Sequence, residues 1–255
     1  MKEPIRIFSD LHLGHPACLI KDIEKLRPLL EGAGTAIFNG DTWQELSRAM
    51  ENTSARMLQQ LKDLCAELEV TPIFLPGNHD PSISETNYLE LNDGEIVIFH
   101  GQTIFPEVSP WSNYYFDKKN EVQALLKEKL FPQLTIDERF SLAKEVVQLM
   151  TPKKWIPRKS RLHYYLSMTW PPKRLWMLIR VKKIGIQQSV KFINQYFPKA
   201  KVVIIGHFHK AFCYSERGKF QIINTGAFMR GCKIQYVEFE NESFITIKVK
   251  NNSVM

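Results

Sequence analysis

What this chain lacks narrows it first. No run of eighteen consecutive apolar residues occurs, and a helix that crosses a bilayer needs about that many. A membrane-spanning helix is therefore excluded. Met1-Lys2-Glu3-Pro4 leads straight into a strand-like run, without the charged-then-apolar layout of a secretory leader. Cysteine is scarce and dispersed: Cys18, Cys65, Cys213 and Cys232 show no paired metal spacing. Buried free thiols in a reducing cytosol are the expectation. Internal repeats and low-complexity tracts are absent too. The most informative shortage is of acid. From Val146 to Ser215 there is no Asp or Glu, against fourteen Lys and Arg. The whole chain carries +7, so the remainder holds 20 basic against 27 acidic residues. One segment supplies the entire positive excess, which implies an anionic partner: a phosphate-rich substrate, nucleic acid or an anionic lipid surface.

A chain of 255 residues has room for one large domain or a domain with an insert. Short apolar runs predict strands at Lys2–Phe8, Thr35–Asn39, Pro72–Leu75, Glu95–His100 and Lys201–Ile205. Helical spacing predicts helices at Leu19–Leu30 and Leu46–Leu68. Their alternation argues a layered α/β domain. From about Ser112 to Phe197 the character changes. Helical patterns at Glu121–Leu130, Asp137–Met150 and Ser189–Tyr196 flank a stretch dense in Lys, Arg, Trp and Tyr, punctuated by Pro152, Pro157, Pro171 and Pro172. Phe220–Asn224, Lys233–Phe239 and Phe244–Val249 then read as antiparallel strands completing a second sheet. The expected division is residues 1–111 and 198–255 as core, with residues 112–197 as an inserted helical, basic and aromatic cap.

Five predicted strands end in metal-type ligands. Ile7-Phe8-Ser9 runs into Asp10 and His12, Ile37 to Gly40 into Asp41, and Ile73 to Gly77 into Asn78 and His79. Ile96 to Phe99 runs into His100, and Val202 to Gly206 into His207 and His209. Sites in open α/β sheets collect at the carboxyl ends of strands. Asp10 and His12, two apart, would face the same way from extended chain. Taken singly, Asp10, Asn78 or Asp80 reads as an ordinary turn or cap residue. Jointly they do not, because five of the seven histidines fall inside these motifs. Mixed carboxylate, amide and imidazole donors suit Mn, Fe or Zn better than Ca or Mg. Seven donors are too many for one tetrahedral ion and suit two ions sharing a carboxylate.

The ordered set D-x-H, G-D, G-N-H-D, H-G and G-H-x-H resembles the calcineurin-like metallophosphoesterase family over roughly residues 1–110 and 198–250. The resemblance implies a four-layer α/β/β/α sandwich and two divalent ions, Mn foremost with Fe or Zn as alternatives. It implies that Asp10, His12 and His209 hold one ion and Asn78, His100 and His207 the other, with Asp41 bridging. Asn224-Thr225-Gly226 is similar to the family's segment after G-H-x-H. The implied reaction is hydrolysis of a phosphate ester or anhydride by water activated between the ions. His79, with Asn78 beside it, would touch the phosphate and stabilise the transition state or protonate the leaving oxygen. One departure stands out: many members read G-D-x-x-D, whose second Asp orients that histidine, whereas this chain has Gln44 there.

The basic stretch carries Lys153, Lys154, Arg158, Lys159 and Arg161 among Trp155, Tyr164, Tyr165, Trp170 and Trp176. That mixture fits a solvated face, an interfacial membrane segment, a groove for single strands, or a lid over the substrate. The five cations and His15 are candidate substrate contacts; His163 is expected to be inert. The S-D-L-H-L-G start and the inserted cap are similar to the UDP-diacylglucosamine hydrolases, which usually carry Arg where this chain has His79. The expectation is thus a cytoplasmic phosphoesterase, peripheral on the inner membrane face through residues 151–183. Its substrate would be lipid-linked or a nucleotide diphosphate. A nuclease, or a catalytically silent scaffold of the same fold, are the rival readings.

Overall fold

The computed structural model describes residues 1–129, 134–151, 172–241 and 243–250. The chain divides into two compact units, Met1–Gly101 with Lys199–Met255, and Gln102–Pro198.

The first unit is built on two five-stranded sheets. One contains β1 (Ile5–Phe8), β2 (Thr35–Asn39), β3 (Thr71–Leu75), β9 (Ile234–Glu240) and β10 (Ser243–Val249), in the order β10-β9-β1-β2-β3. The other contains β4 (Leu89–Leu91), β5 (Ile96–Ile98), β6 (Val202–Ile205), β7 (Phe212–Glu216) and β8 (Phe220–Asn224), in the order β4-β5-β6-β8-β7. Within each, three neighbours run parallel: β1, β2 and β3 in the first, β5, β6 and β8 in the second. This is the mixed α/β sandwich that the motifs implied.

Alternation along the strands assigns the faces. Ile5, Ile7, Ile37, Leu75, Val237 and Phe239 pack against Ile96, Ile98, Ile204 and Ile223, forming the layer between the sheets. The intervening Phe8, Ala36, Phe38 and Tyr236 point the other way, onto Met57, Leu61, Leu64 and Cys65 of the helix Glu51–Glu67. Phe8 stacks on Phe38 at 5.9 Å and Phe38 on Phe74 at 5.1 Å between ring centroids, so one aromatic row ties the three parallel strands.

Several sequence expectations need correction. The last three strands do not form one sheet. β8 belongs beside β6, whereas β9 pairs antiparallel with β1 and carries β10 with it. The short strands β4 and β7 escaped the pattern reading. The long helix begins at Glu51, not Leu46. The preceding backbone forms turns, with Met50 N–H on Ser47 C=O and Gln44 N–H on Ser54 Oγ at 2.7 Å. Leu19–Leu30 is no continuous helix. Leu19 N–H bonds to Phe228 C=O, and only Ile23–Leu26 and Arg27–Leu30 coil. All four thiols are free, but only Cys18 and Cys65 are buried; Cys213 is exposed and Cys232 intermediate. Burial pushes the Cys18 and Cys65 thiols up to about 11, which makes them inert at neutral pH.

The second unit contains the helices Asn113–Asp117, Lys119–Lys129, Ile136–Met150 and Pro172–Tyr196. Thr135 and Glu138 form a capping box at the start of the third. The fourth is far longer than the expected Ser189–Tyr196. Pro172 occupies its first position, where a missing N–H costs no hydrogen bond. Among the described residues no helix is long and apolar enough to cross a membrane.

Candidate metal centre

Five of the six parallel strands of the first unit deliver a candidate metal donor past their carboxyl ends. Asp10 and His12 follow β1, Asp41 follows β2, and Asn78 and His79 follow β3. His100 follows β5, and His207 and His209 follow β6. The loops are pinned to one another by backbone: Asp10 N–H to Gly40 C=O, His12 N–H to Asp41 C=O and Leu13 N–H to Thr42 C=O. Asp10 and His12 do face one space, as expected, but not from extended chain. Asp10 (φ 53°), His12 (φ 50°), Asp41 (φ 52°), His207 (φ 69°) and His209 (φ 52°) all lie in the left-handed region. Each such conformation costs a non-glycine residue on the order of 1–3 kcal/mol and persists only where neighbours over-determine it. Two glycines make room for the carboxylates. A methyl group at Gly77 would collide with Asp41, and one at Gly206 with Asp10.

Donor atoms of Asp10, His12, Asp41 and His209 lie within 4.8 Å of one another, as do those of Asp41, His100 and His207. Asp41 belongs to both groups, and its two oxygens have different tasks. Oδ1 accepts His79 N–H at 2.8 Å. Oδ2 faces His100 Nε2 at 3.3 Å, His12 Nε2 at 3.7 Å and His79 Nε2 at 3.9 Å. Asp10 is split less completely, because His207 N–H also reaches its Oδ1 at 3.2 Å. Oδ2 accepts from Ser9 Oγ at 2.6 Å and from His207 N–H at 3.0 Å, while Oδ1 looks toward His209 Nε2 at 3.2 Å.

The donors fit a pair of divalent cations. His100 Nδ1–H donates to Asn39 C=O at 2.9 Å, which leaves Nε2 buried without a hydrogen-bond partner and aimed at a carboxylate. Asn78 Oδ1 is likewise buried without a partner. A buried acceptor with nothing to accept is costly, and a cation between His100 and Asp41 removes that cost. The field at this point favours a positive charge, a proton in the absence of a cation. Burial alone would lower the His100 imidazole, but Asp41 and Asp10 outweigh it and push it up to about 10. Burial holds His12 well below the usual imidazole range, so it is a neutral donor. Asp10, His12, Asp41, His100, His207 and His209 together suggest a dinuclear metal site.

His79, set by its two neighbouring loops, has a side chain 41% exposed. His15 sits 6.3 Å from His12 between ring centroids, and its Nδ1 accepts Ala17 N–H at 3.0 Å. Burial brings it down to about 4. Lys153, Lys154, Arg158, Lys159, Arg161 and His163 lie outside the described residues. Sequence reasoning passed over Asp80 as a turn residue. Its carboxylate accepts N–H groups from Asp41, Thr42 and Gly77 at 2.7–2.9 Å, stitching the G-D loop to the G-N-H-D loop. Burial and the Asp41 charge push its carboxyl up to about 7, against the pull of His100 and the N–H groups of Gly77 and Thr42. Gln44 was noted only as a departure. Its amide is buried between His12 Nδ1, at 2.9 Å, and His79 Nδ1, at 3.1 Å.

The sequence pattern of the calcineurin-like phosphoesterases matches residues 3–211. The chain belongs to that family and is thereby a phosphoester hydrolase. Among solved structures it is similar to a dimetal phosphatase from Danio rerio (10% identity, 98% of this chain and 97% of that one, TM-score 0.49). It is also similar to a predicted phosphoesterase from Streptococcus pneumoniae TIGR4 (14%, 99% and 91%, 0.42) and to zinc-bound Vps29 from Entamoeba histolytica (11%, 97% and 99%, 0.37). At these identities and TM-scores the likenesses transfer no function. No curated protein sequence matches the chain.

Proposed function

We propose that the chain hydrolyses a phosphate ester or anhydride on a lipid-linked or nucleotide-diphosphate substrate at an anionic membrane surface, with manganese as the working ion. The observation that carries the catalytic part is Asp41 Oδ2. One oxygen faces imidazole nitrogens of both ligand groups, at 3.3 and 3.7 Å, while the other is tied to the His79 backbone. Two divalent cations held there by Asp10, His12 and His209, and by Asn78, His100 and His207, would acidify water and neutralise charge on a phosphoryl group. Asp41 commits one oxygen to the His79 backbone, which leaves the other fixed in direction, and Asp10 is held by Ser9 Oγ and His207 N–H. His79 adds an imidazole that can reach a phosphoryl oxygen beside the ligands.

The substrate half rests on the chain's charge pattern and on the start of the helix Pro172–Tyr196. Leu175, Trp176 and Ile179 are exposed there, and the Arg180 guanidinium lies 4.9 Å over the Trp176 ring. Aromatic and aliphatic side chains among cations, with no acid from Val146 to Ser215, suit a headgroup boundary.

The test is metal-stripped protein, with manganese added back, on nucleotide-diphosphate lipids in anionic vesicles. Release of a phosphorylated product that needs both manganese and vesicles supports the proposal. Turnover of single-stranded nucleic acid that falls steeply with salt and ignores vesicles would replace it with a nuclease. Retained metal without turnover of any phosphate ester or anhydride would leave a scaffold.

A further inference from the structure

Gln44 is 2% exposed, and its amide spans two imidazoles through their Nδ1 atoms. His12 turns its other nitrogen toward Asp10, Asp41 and His209, with His209 Nε2 3.0 Å away. His79 turns its Nε2 toward Asp41 Oδ2 at 3.9 Å. An amide has one donating end and one accepting end, so what it does to one ring fixes what it does to the other. With nitrogen toward His12, the His12 proton must lie on Nε2, and His79 Nδ1–H donates to the amide oxygen. Half a turn about the last side-chain bond exchanges the two ends without moving either ring. His12 Nδ1–H then donates to the oxygen and its Nε2 lone pair is free. The amide nitrogen donates to His79 Nδ1, and the His79 proton sits on Nε2. Only the second arrangement lets His12 hold a cation through Nε2, because the partner of the distal nitrogen sets the tautomer of a ligating histidine.

We propose that Gln44 is a positioning residue that couples cation binding at His12 to a neutral, Nε2-protonated His79. This deepens the reading above and rests on its metal centre. His79 then donates a hydrogen bond to a phosphoryl oxygen, stabilising charge there, and does not deliver a proton as imidazolium. A neutral imidazole N–H is too weak an acid to protonate a departing alkoxide. The favoured substrate therefore has a leaving group stable as an anion, which selects a phosphate anhydride over an alkyl phosphodiester. In that hydrolysis a water oxygen bonds to phosphorus. The leaving phosphate departs with the electron pair of the broken P–O bond, and the water's proton passes to solvent.

The experiment uses wild-type protein labelled with 15N-histidine, loaded with zinc (which is diamagnetic), and long-range 1H–15N spectra. His12 protonated on Nδ1 and His79 on Nε2 is the expected result. His79 protonated on Nδ1 in zinc-loaded protein overturns the coupling while leaving the metal centre standing. Zinc that moves none of the His12, His207 and His209 signals takes down both. Gln44→Glu keeps an acceptor for His12 but demands Nδ1–H from His79 and favours its imidazolium. It should add a proton at His79 Nδ1 while keeping the one on Nε2, and raise the rate on an alkyl phosphodiester, relative to a nitrophenyl one, by about tenfold or more. An unchanged ratio in a zinc-binding Gln44→Glu protein would also overturn the proposal.

Discussion

Asp80→Asn tests whether the metal-bearing loops are held by one buried carboxylate. In the wild type, Oδ1 accepts N–H from Asp41 at 2.8 Å and Gly77 at 2.9 Å, and Oδ2 accepts from Thr42 at 2.7 Å, with Trp43 N at 3.4 Å. Asparagine keeps the shape but turns one acceptor into a donor. If the NH2 replaces Oδ1, two buried N–H groups lose a close partner; if it replaces Oδ2, Thr42 loses its own and the part-buried Trp43 N–H its longer contact at 3.4 Å. The variant settles on the second. One buried donor left unmet costs about 1–3 kcal/mol, and the two surviving bonds lose their charge assistance, each falling by roughly 1 kcal/mol. Asparagine also escapes the burial and the Asp41 repulsion that disfavour the charged carboxylate, which offsets part of this, so the expected net loss is about 1–3 kcal/mol out of the ~5–15 kcal/mol that holds a domain folded. The assay is amide hydrogen exchange at pH 8, above the value near 7 to which burial and Asp41 raise this carboxyl. At about 1.4 kcal/mol per tenfold change, exchange of the Thr42 amide should accelerate by roughly one to two powers of ten. Exchange within about threefold of wild type, with two cations still bound, would refute the reasoning.

Asp41→Asn removes the shared oxygen, so elemental analysis should find less than one tightly held ion per chain and turnover reduced by about three powers of ten. His79→Ala should leave metal content unchanged while lowering kcat by roughly 10²–10³; loss of metal would place His79 among the ligands instead. Saturating each ion site at about 100 times its dissociation constant should add roughly 2.7 kcal/mol per site. Chelation should therefore lower the melting temperature, and an unchanged melting curve would argue against a metal centre. Leu175→Asp with Ile179→Asp, at positions 40% and 73% exposed, should weaken sedimentation with anionic vesicles and spare a nitrophenyl phosphodiester.

The parallel strands were legible because each is a short β-branched or aromatic run closed by glycine or a polar residue, and the ligands follow in chain order. Pairing was less legible. β9 carries the same kind of alternation as β8, and nothing local in Ile234–Glu240 says that its partner is β1, more than two hundred residues earlier. The start of the long helix was misplaced for a functional reason. Gln44 to Met50 has helical composition, but its backbone is diverted into turns that aim Gln44 at two imidazoles. Asp80 was missed because a carboxylate closing a G-N-H-D turn looks the same whether it caps its own turn or binds N–H groups from position 41.

The left-handed residues connect these points. Among the described residues eleven non-glycines have positive φ, and five of them are Asp10, His12, Asp41, His207 and His209. Extended chain would keep residues two apart on one face but carry the second about 6–7 Å further along the strand. A left-handed step after the strand instead turns the backbone back on itself, so that Asp10 and His12, and likewise His207 and His209, reach one space. Such steps are locally unfavourable, and what maintains them is non-local: Phe228 N–H on Asp10 C=O, His207 N–H on the Asp10 carboxylate, Asp41 N–H on Asp80. Each ligand loop is therefore held by groups from another ligand loop. The centre forms as one unit or not at all, and the side chains that keep it in place, Asp80 and Gln44, are as much a part of it as the atoms that would touch a cation.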